Sequence, residues 1–321
     1  MIVPIKLYRE PRLRNPTLVA GWPGMGEVAM VAVNYLARKL EAEDFGEIEP
    51  FDFYEPMPAV VEKGVIQPPK FPTSKFFFWR NPRSNEDMII FIGEAQPSRR
   101  GYELAGQVLD VAERFGVSKI YTFAAAPAAI HHRAKPKVLA VASDSRLFER
   151  LGGYPVTLMG SGHISGMNGM LLGVAAERKI DGVCLLGELP YYTMGIPNPK
   201  SSQAVLELLC QLLNIEIDMV DMEAWGKQIE EQVEKVIRSS EQMQRYISSF
   251  ESSEGPTPEE FRGMAEAIER EVNLRHHIEE LFGEASSDRS KVDALKAELD
   301  RLGLFQEYQD RFLDLFRKGD Q

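Results

Sequence analysis

From Thr17 to Leu213 short apolar runs alternate with stretches of helical periodicity, and after Asp218 no strand pattern remains. That rhythm marks βαβ units, in which a largely parallel sheet is buried between helices on both faces. Strands are predicted at Thr17 to Gly21, Met88 to Gly93, Lys119 to Ala124, Val138 to Ala142 and Gly182 to Gly187. Helices are predicted at Glu27 to Leu40, Tyr102 to Phe115, Met167 to Lys179 and Ser201 to Leu213. In the first of these, Val28, Val31, Ala32, Tyr35 and Leu36 form the apolar face expected of a helix packed on a sheet. Gly116 stops the second, as a residue suited to a helix C-terminus.

Between Pro50 and Arg83 the rhythm breaks. Pro56, Pro58, Pro68, Pro69, Pro72 and Pro82 surround Val60 to Gln67 and Phe76 to Arg80. Proline is excluded from central strands, so an extended antiparallel insertion or hairpin is expected. The patch Phe76-Phe77-Phe78-Trp79 reads first as an inserted strand buried on both faces, and second as an exposed partner-binding surface.

At 321 residues the chain exceeds one comfortable core, so a large α/β unit with an appendage is the natural organisation. The charge places the join. Residues 1–218 hold 23 Lys and Arg against 24 Asp and Glu, whereas residues 219–321 hold 14 against 24. The expected domains are therefore 1–218, an α/β/α unit, and 219–321, an acidic all-helical appendage. Such an appendage disfavours nucleic acid, whose phosphates are held by clustered positive charge. Within it Met222, Trp225, Ile229, Val233, Val236, Ser240, Met243, Ile247 and Phe250 follow a heptad-like spacing, the pattern of a narrow coiled-coil seam. Gly255 breaks that helix, and Thr257-Pro258-Glu259-Glu260 restarts it with a cap, a first-turn proline and a capping-box glutamate. Packing within the chain is the leading use of the seam, with self-association or partner binding second. Further helices are expected at Glu259 to Phe282, Lys291 to Leu302 and Phe305 to Phe316.

Met1 to Glu10 lacks the charged and apolar regions of a leader peptide, and no apolar run approaches the roughly 20 residues that span a bilayer. A cytoplasmic protein without a membrane partner is expected. Cys184 and Cys210 sit in apolar runs and read as buried small hydrophobes, with no disulfide or metal role.

Small residues and prolines at strand ends mark where an α/β domain builds a site. They are densest from Gly160 to Ser202, and occur again in Gly21-Trp22-Pro23-Gly24-Met25-Gly26. The latter lies where a phosphate-cradling turn would lie, but its glycines depart from the dinucleotide pattern and Pro23 removes a backbone donor. Tight turns explain these glycines first, and no cofactor is expected. The candidate turn residues, should a ligand bind, are Gly24, Gly26, Gly162, Gly166 and Asn168. Two strands end alike, in Gly93-Glu94 and Gly187-Glu188. If these carboxylates meet His131, His132 or His163, they form an acid/base set. Otherwise they cap helices or pair with Arg99, Arg100 or Arg133. Glu94, Glu188 and His132 are thus the candidates for catalysis, although no complete catalytic set is legible. His131-His132 is not a metal motif, since adjacent residues seldom point at one ion and no ligand-spaced partner follows. Ser161 and Ser165 lack the frame of a nucleophile elbow.

Taken together, several motifs resemble the proteasome assembly chaperone 2 family. They are the Gly21 to Gly26 turn, the Tyr121 to Arg133 stretch with Pro127 and His132-Arg133, the Gly162 to Gly169 turn, and Leu189-Pro190-Tyr191-Tyr192 with Pro197-Asn198-Pro199-Lys200. The resemblance covers residues 5–218 and suggests a prokaryotic member with a C-terminal helical extension. It implies a three-layer α/β/α fold with a mostly parallel sheet, in the topology of purine nucleoside phosphorylases, and a tendency to homo-oligomerise. Eukaryotic and archaeal members assist proteasome ring assembly. Archaeal members that dock on proteasomes can do so with a C-terminal hydrophobic-Tyr-any-residue ending, and Lys318-Gly319-Asp320-Gln321 departs from it. The expected function is a non-catalytic assembly-chaperone-like or scaffold protein acting through self-association and a protein partner of the appendage. The alternative is a nucleoside- or nucleotide-like small-molecule binder, or a hydrolase or transferase, with its site at the C-terminal strand edge.

Overall fold

The computed structural model describes residues 5–62, 64–239 and 258–317. Four strands form the centre of a nine-stranded mixed sheet: β2 (Thr17–Gly21), β7 (Met88–Gly93), β8 (Lys119–Ala128) and β11 (Asp181–Pro190). They lie side by side in the order β7-β2-β8-β11 and run parallel. Every residue of β2 and β7 is buried, as a strand covered by helices on both faces requires.

Antiparallel strands extend each side. Beyond β7 lie β6 (Ser74–Trp79), β3 (Glu43–Ile48) and the edge strand β1 (Ile5–Leu7). Beyond β11 lies β9 (Val138–Ala142), antiparallel to it, with the two-residue β10 (Thr157–Leu158) outermost. A parallel neighbour needs a crossover of a dozen residues or more. Residues 129–137 are too few for one, and β9 runs back against the parallel block. The proline-rich insertion divides in two. Its tip is the small hairpin of β4 (Val61–Glu62) and β5 (Val65–Ile66), apart from the main sheet, with Val61, Val65 and Ile66 exposed. The aromatic run is β6, which buries Ser74, Phe76 and Phe78 on one face and leaves Phe77 and Trp79 half-buried on the other.

One face of the sheet packs on α2 (Gly101–Arg114) and α4 (Gly166–Glu177), through Leu104, Val108, Leu171 and Ala175 against Leu18, Phe91, Ile120 and Leu186. The other packs on α1 (Val28–Lys39), α3 (Ser145–Leu151) and α5 (Pro199–Leu213), through Val33, Leu36, Leu151, Val205 and Leu209 against Val19, Ile90, Phe123 and Leu185. Asn198 caps α5 by accepting the Ser201 N–H (3.1 Å), and Pro199 opens its first turn. Cys184 is buried in β11 and Cys210 lies in α5, both as thiols.

The helix α6 (Val220–Ser239) is held against this second face. The Tyr35 hydroxyl donates to the Asp218 carbonyl (2.8 Å), Lys39 pairs with Asp218 (3.2 Å) and Asp221 (2.8 Å), and Met222 and Trp225 join the apolar core. Farther along, Val233, Val236 and Ile237 pack with Tyr192, Ile196 and with Ile268 and Val272 of α7 (Pro258–Ser287). The apolar seam from Met222 to Val236 is therefore spent within the chain. Its continuation through Ser240, Met243, Ile247 and Phe250, the break at Gly255 and the cap at Thr257 lie outside the described residues. The far half of α7 forms a separate small core with α8 (Val292–Arg301) and α9 (Phe305–Arg317), built on Ile278, Phe282, Leu295, Leu299 and Phe312. Among the described residues no helix is long and apolar enough to cross a membrane.

Candidate functional site

The loops that follow β2, β7, β8 and β11 meet at the C-terminal edge of the parallel strands, where all the candidate residues were expected. The turn after β2 is anchored by Trp22, which is fully buried and packs tilted against Phe91 with ring centroids 4.8 Å apart. Asn168, buried in the first turns of α4, reaches across to it. Its side-chain oxygen accepts the Trp22 N–H (2.9 Å) and its amide donates to the Trp22 carbonyl (3.0 Å). Farther along the turn, Gly26 at φ 59° donates its N–H to the Met194 carbonyl (2.7 Å) and accepts from the Asn198 N–H (2.8 Å). The Glu27 N–H donates to the Gly24 carbonyl (3.0 Å). A phosphate cradle needs free backbone donors pointing outward. Here the donors of Trp22, Gly26 and Glu27 are engaged within the chain, so Gly26 and Asn168 hold the turn to its neighbours. Gly24 faces open space, Gly162 is exposed in the loop before α4, and Gly166, at φ 72°, lies against the Gln96 side chain.

Glu94 and Glu188 have the same local job on different strands. Glu94 donates its N–H to the Thr73 carbonyl (2.9 Å), and its carboxylate accepts the Thr73 N–H (2.8 Å). Glu188 donates to the Lys137 carbonyl (2.9 Å), and its carboxylate accepts the Lys137 N–H (3.1 Å). Thr73 and Lys137 are the residues immediately before β6 and β9, the antiparallel neighbours of β7 and β11. Each carboxylate thus clamps the start of an adjacent strand. The two do not converge. β2 and β8 stand between their strands, a separation of about 14 Å at the usual strand spacing. Alternation also sends them to opposite faces: Glu188 continues the Cys184 and Leu186 side facing α2 and α4, and Glu94 the Ile90 and Ile92 side facing α1. There Glu94 lines a groove of about 640 Å³ with Pro23, Met30, Tyr35, Met222 and Trp225. Arg100 pairs with Glu103 and Asp52 instead, and Arg99 donates to the Phe51 and Asp52 carbonyls.

His132 lies elsewhere on this edge, buried beneath α6. Tyr192 Oη accepts the His132 N–H (2.8 Å) and stands 3.1 Å from its Nδ1, while Nε2 is 3.1 Å from Glu234 Oε2 on α6. Lys200 donates to the His132 carbonyl (3.2 Å) and pairs with Glu230. Burial, aided by the neighbouring His131 ring, pushes the His132 pKa down to about 4, against the pull of Glu234. Burial opposes ionisation of Glu234 too, but hydrogen bonds from Arg238 and His132 and the charge of Arg133 outweigh it and hold its carboxyl below the usual range. Burial also raises Tyr192, so the phenol keeps its proton. A neutral imidazole therefore sits between a phenol and a carboxylate. Glu234 is 102 positions from His132 in the chain, and nothing in local spacing signals it. The nearest trace is its place in α6, one residue from the apolar seam position Val233. His163 is exposed in the loop before α4.

Fold and site define an α/β/α protein whose strand-end loops are tied to one another and to a docked C-terminal helix. Residues 18–237 match the PAC2 family, and the chain belongs to that family. It is 30% identical over 245 residues to the uncharacterized protein MJ1210 of Methanocaldococcus jannaschii, covering 75% of this chain and 91% of that protein. Among solved structures it resembles Pyrococcus furiosus PbaB, an archaeal proteasome activator, at 29% identity and a TM-score of 0.63, over 73% of this chain and 98% of PbaB. The fold is also that of Rv2125, a proteasome-assembly chaperone homologue of Mycobacterium tuberculosis, with 21% identity, a TM-score of 0.61 and coverage of 72% and 99%.

Proposed function

We propose that this protein is a non-catalytic, assembly-chaperone-like scaffold, acting in the cytoplasm through self-association and through contacts with proteasome subunits. The observation that carries this reading is the likeness to PbaB over 98% of that chain at 29% identity. The strand-end chemistry agrees with it, because Glu94, Glu188 and His132 are each engaged in contacts that hold loops or helices together. In this reading residues 1–218 form the self-associating unit, and the appendage 219–321 reaches the partner. The small core of α7, α8 and α9 supports that role, with Leu313 and Phe316 exposed on the last helix.

The test mixes the purified full-length protein with proteasome core particles and with separate α-type subunits. Light scattering on the eluted species, core-particle assembly rate and peptide hydrolysis are the readouts. Self-association, together with a complex of defined mass that alters assembly or hydrolysis, is expected. A monomer that neither co-elutes with these subunits nor changes either rate overturns the proposal.

A further inference from the structure

His131, His132 and Glu234 form a cluster where the loop after β8 meets α6. Their ligand-bearing atoms all lie within 4.8 Å of one another. Adjacent residues seldom face one ion, but here a turn closed by the Ala134 N–H on the His131 carbonyl (2.8 Å) brings the two rings side by side. Their centroids are 4.1 Å apart and their planes differ by 30°. The third group arrives on α6.

We propose that His131, His132 and Glu234 bind a first-row transition-metal ion, zinc by preference, linking the loop after β8 to α6. Imidazole and carboxylate together suit this class of ion. The 3.1 Å between His132 Nε2 and Glu234 Oε2 is close to the roughly 3.3 Å that separates two ligands on a tetrahedral zinc with bonds of about 2.0 Å. His131, whose ring is exposed, gives up the Arg133 N–H that its Nδ1 accepts (3.2 Å) as it turns onto the ion from the solvent side.

The surrounding groups provide the outer support that metal-bound histidines and carboxylates use. Tyr192 Oη stands 3.1 Å from His132 Nδ1, so Nδ1–H donates to it when Nε2 holds the ion. Arg238 donates to Glu234 Oε1 (2.8 Å), leaving Oε2 facing the histidines. Arg133 approaches Oε2 at 3.4 Å, and its largely exposed guanidinium has room to swing away as the cation enters. Lys200, which donates to the His132 carbonyl, is paired with Glu230.

The test is calorimetric titration of chelator-treated, full-length protein with zinc, with visible absorption of the cobalt form as a probe of coordination geometry. One equivalent is expected to bind with a Kd near or below about 1 μM. Thermal unfolding is then expected to rise by about 2–4 °C at a hundredfold excess over Kd. Because His132 is buried, the informative variants are His131→Ala and Glu234→Gln, with folding checked by circular dichroism. Each is expected to weaken zinc at least about tenfold and to remove the tetrahedral cobalt bands. A double variant of the exposed His276 and His277, each beside a glutamate on or against α7, controls for surface binding and is expected to bind as the parent does. A parent Kd weaker than about 100 μM, unchanged binding in His131→Ala, or loss in the His276/His277 variant overturns the proposal.

Discussion

The side-chain amide of Asn168 pairs with both backbone groups of Trp22, accepting at 2.9 Å and donating at 3.0 Å, so that α4 and the turn after β2 are joined as two strands would be. The Thr122 hydroxyl completes the arrangement by donating to the Asn168 carbonyl (2.9 Å). Asn168→Ala leaves two buried backbone groups of Trp22 unpaired and is expected to cost about 2–4 kcal/mol. Asn168→Asp keeps the acceptor but sets a carboxylate against the Trp22 carbonyl, and is expected to destabilise more at neutral pH than near pH 3. Urea denaturation at both pH values checks this.

Glu94 and Glu188 act as acceptors for the N–H groups of Thr73 and Lys137, a task that needs an oxygen but no charge. Glu94→Ala and Glu188→Ala are each expected to cost about 1 kcal/mol, with the glutamine variants recovering most of it. Thermal unfolding of the four variants decides the matter. A glutamine variant as impaired as the alanine one would show that charge matters.

Asp87 is fully buried. Burial alone would raise its carboxyl pKa, but the Arg14 side chain and the backbone N–H groups of Arg14 (2.7 Å) and Asn81 (2.9 Å) outweigh this and hold it below the usual range. In the unfolded chain it titrates near pH 3.9. Between that value and the lower folded one the unfolded chain binds more protons, so the contribution of Asp87 is complete above about pH 4 and lost as pH falls through the folded pKa. Asp87→Asn is expected to lose about 2–3 kcal/mol at pH 7 and to approach the parent in stability near pH 2. Denaturant midpoints across that range measure it.

Gly26 and Gly24 sit two residues apart in one turn with different constraints. A Cβ on Gly26 would lie 2.7 Å from Leu189 Cδ2 on a backbone at φ 59°, whereas Gly24, with φ −166°, has nothing within 4 Å. Gly26→Ala is expected to cost about 1–3 kcal/mol and Gly24→Ala less than about 0.5 kcal/mol. Equal effects in calorimetry would refute the assignment of Gly26 to packing.

The strands and helices that were legible in advance are the ones whose apolar pattern is unbroken. Met88–Gly93 and Val138–Ala142 match their predicted ends, and the central helices fall within two residues of theirs. β3 carries no strand signal in the sequence because Glu43-Asp44-Phe45-Gly46-Glu47-Ile48 is mostly polar, with only Phe45 and Ile48 as large residues turned into the core. β10 and α3, of two and seven residues, are too short to show a period.

Local pattern determined the α/β alternation and the glycine-bearing turns, because each depends on a few neighbouring residues choosing between backbone conformations and burying one face. Sheet order and helix docking depend on contacts between distant residues, and only the tertiary structure decided those. It placed two strands between the matching glutamates and sent their side chains to opposite faces. It also carried Glu234 across 102 positions to the two histidines, because the apolar side of α6 is buried against the core and leaves that carboxylate facing His132.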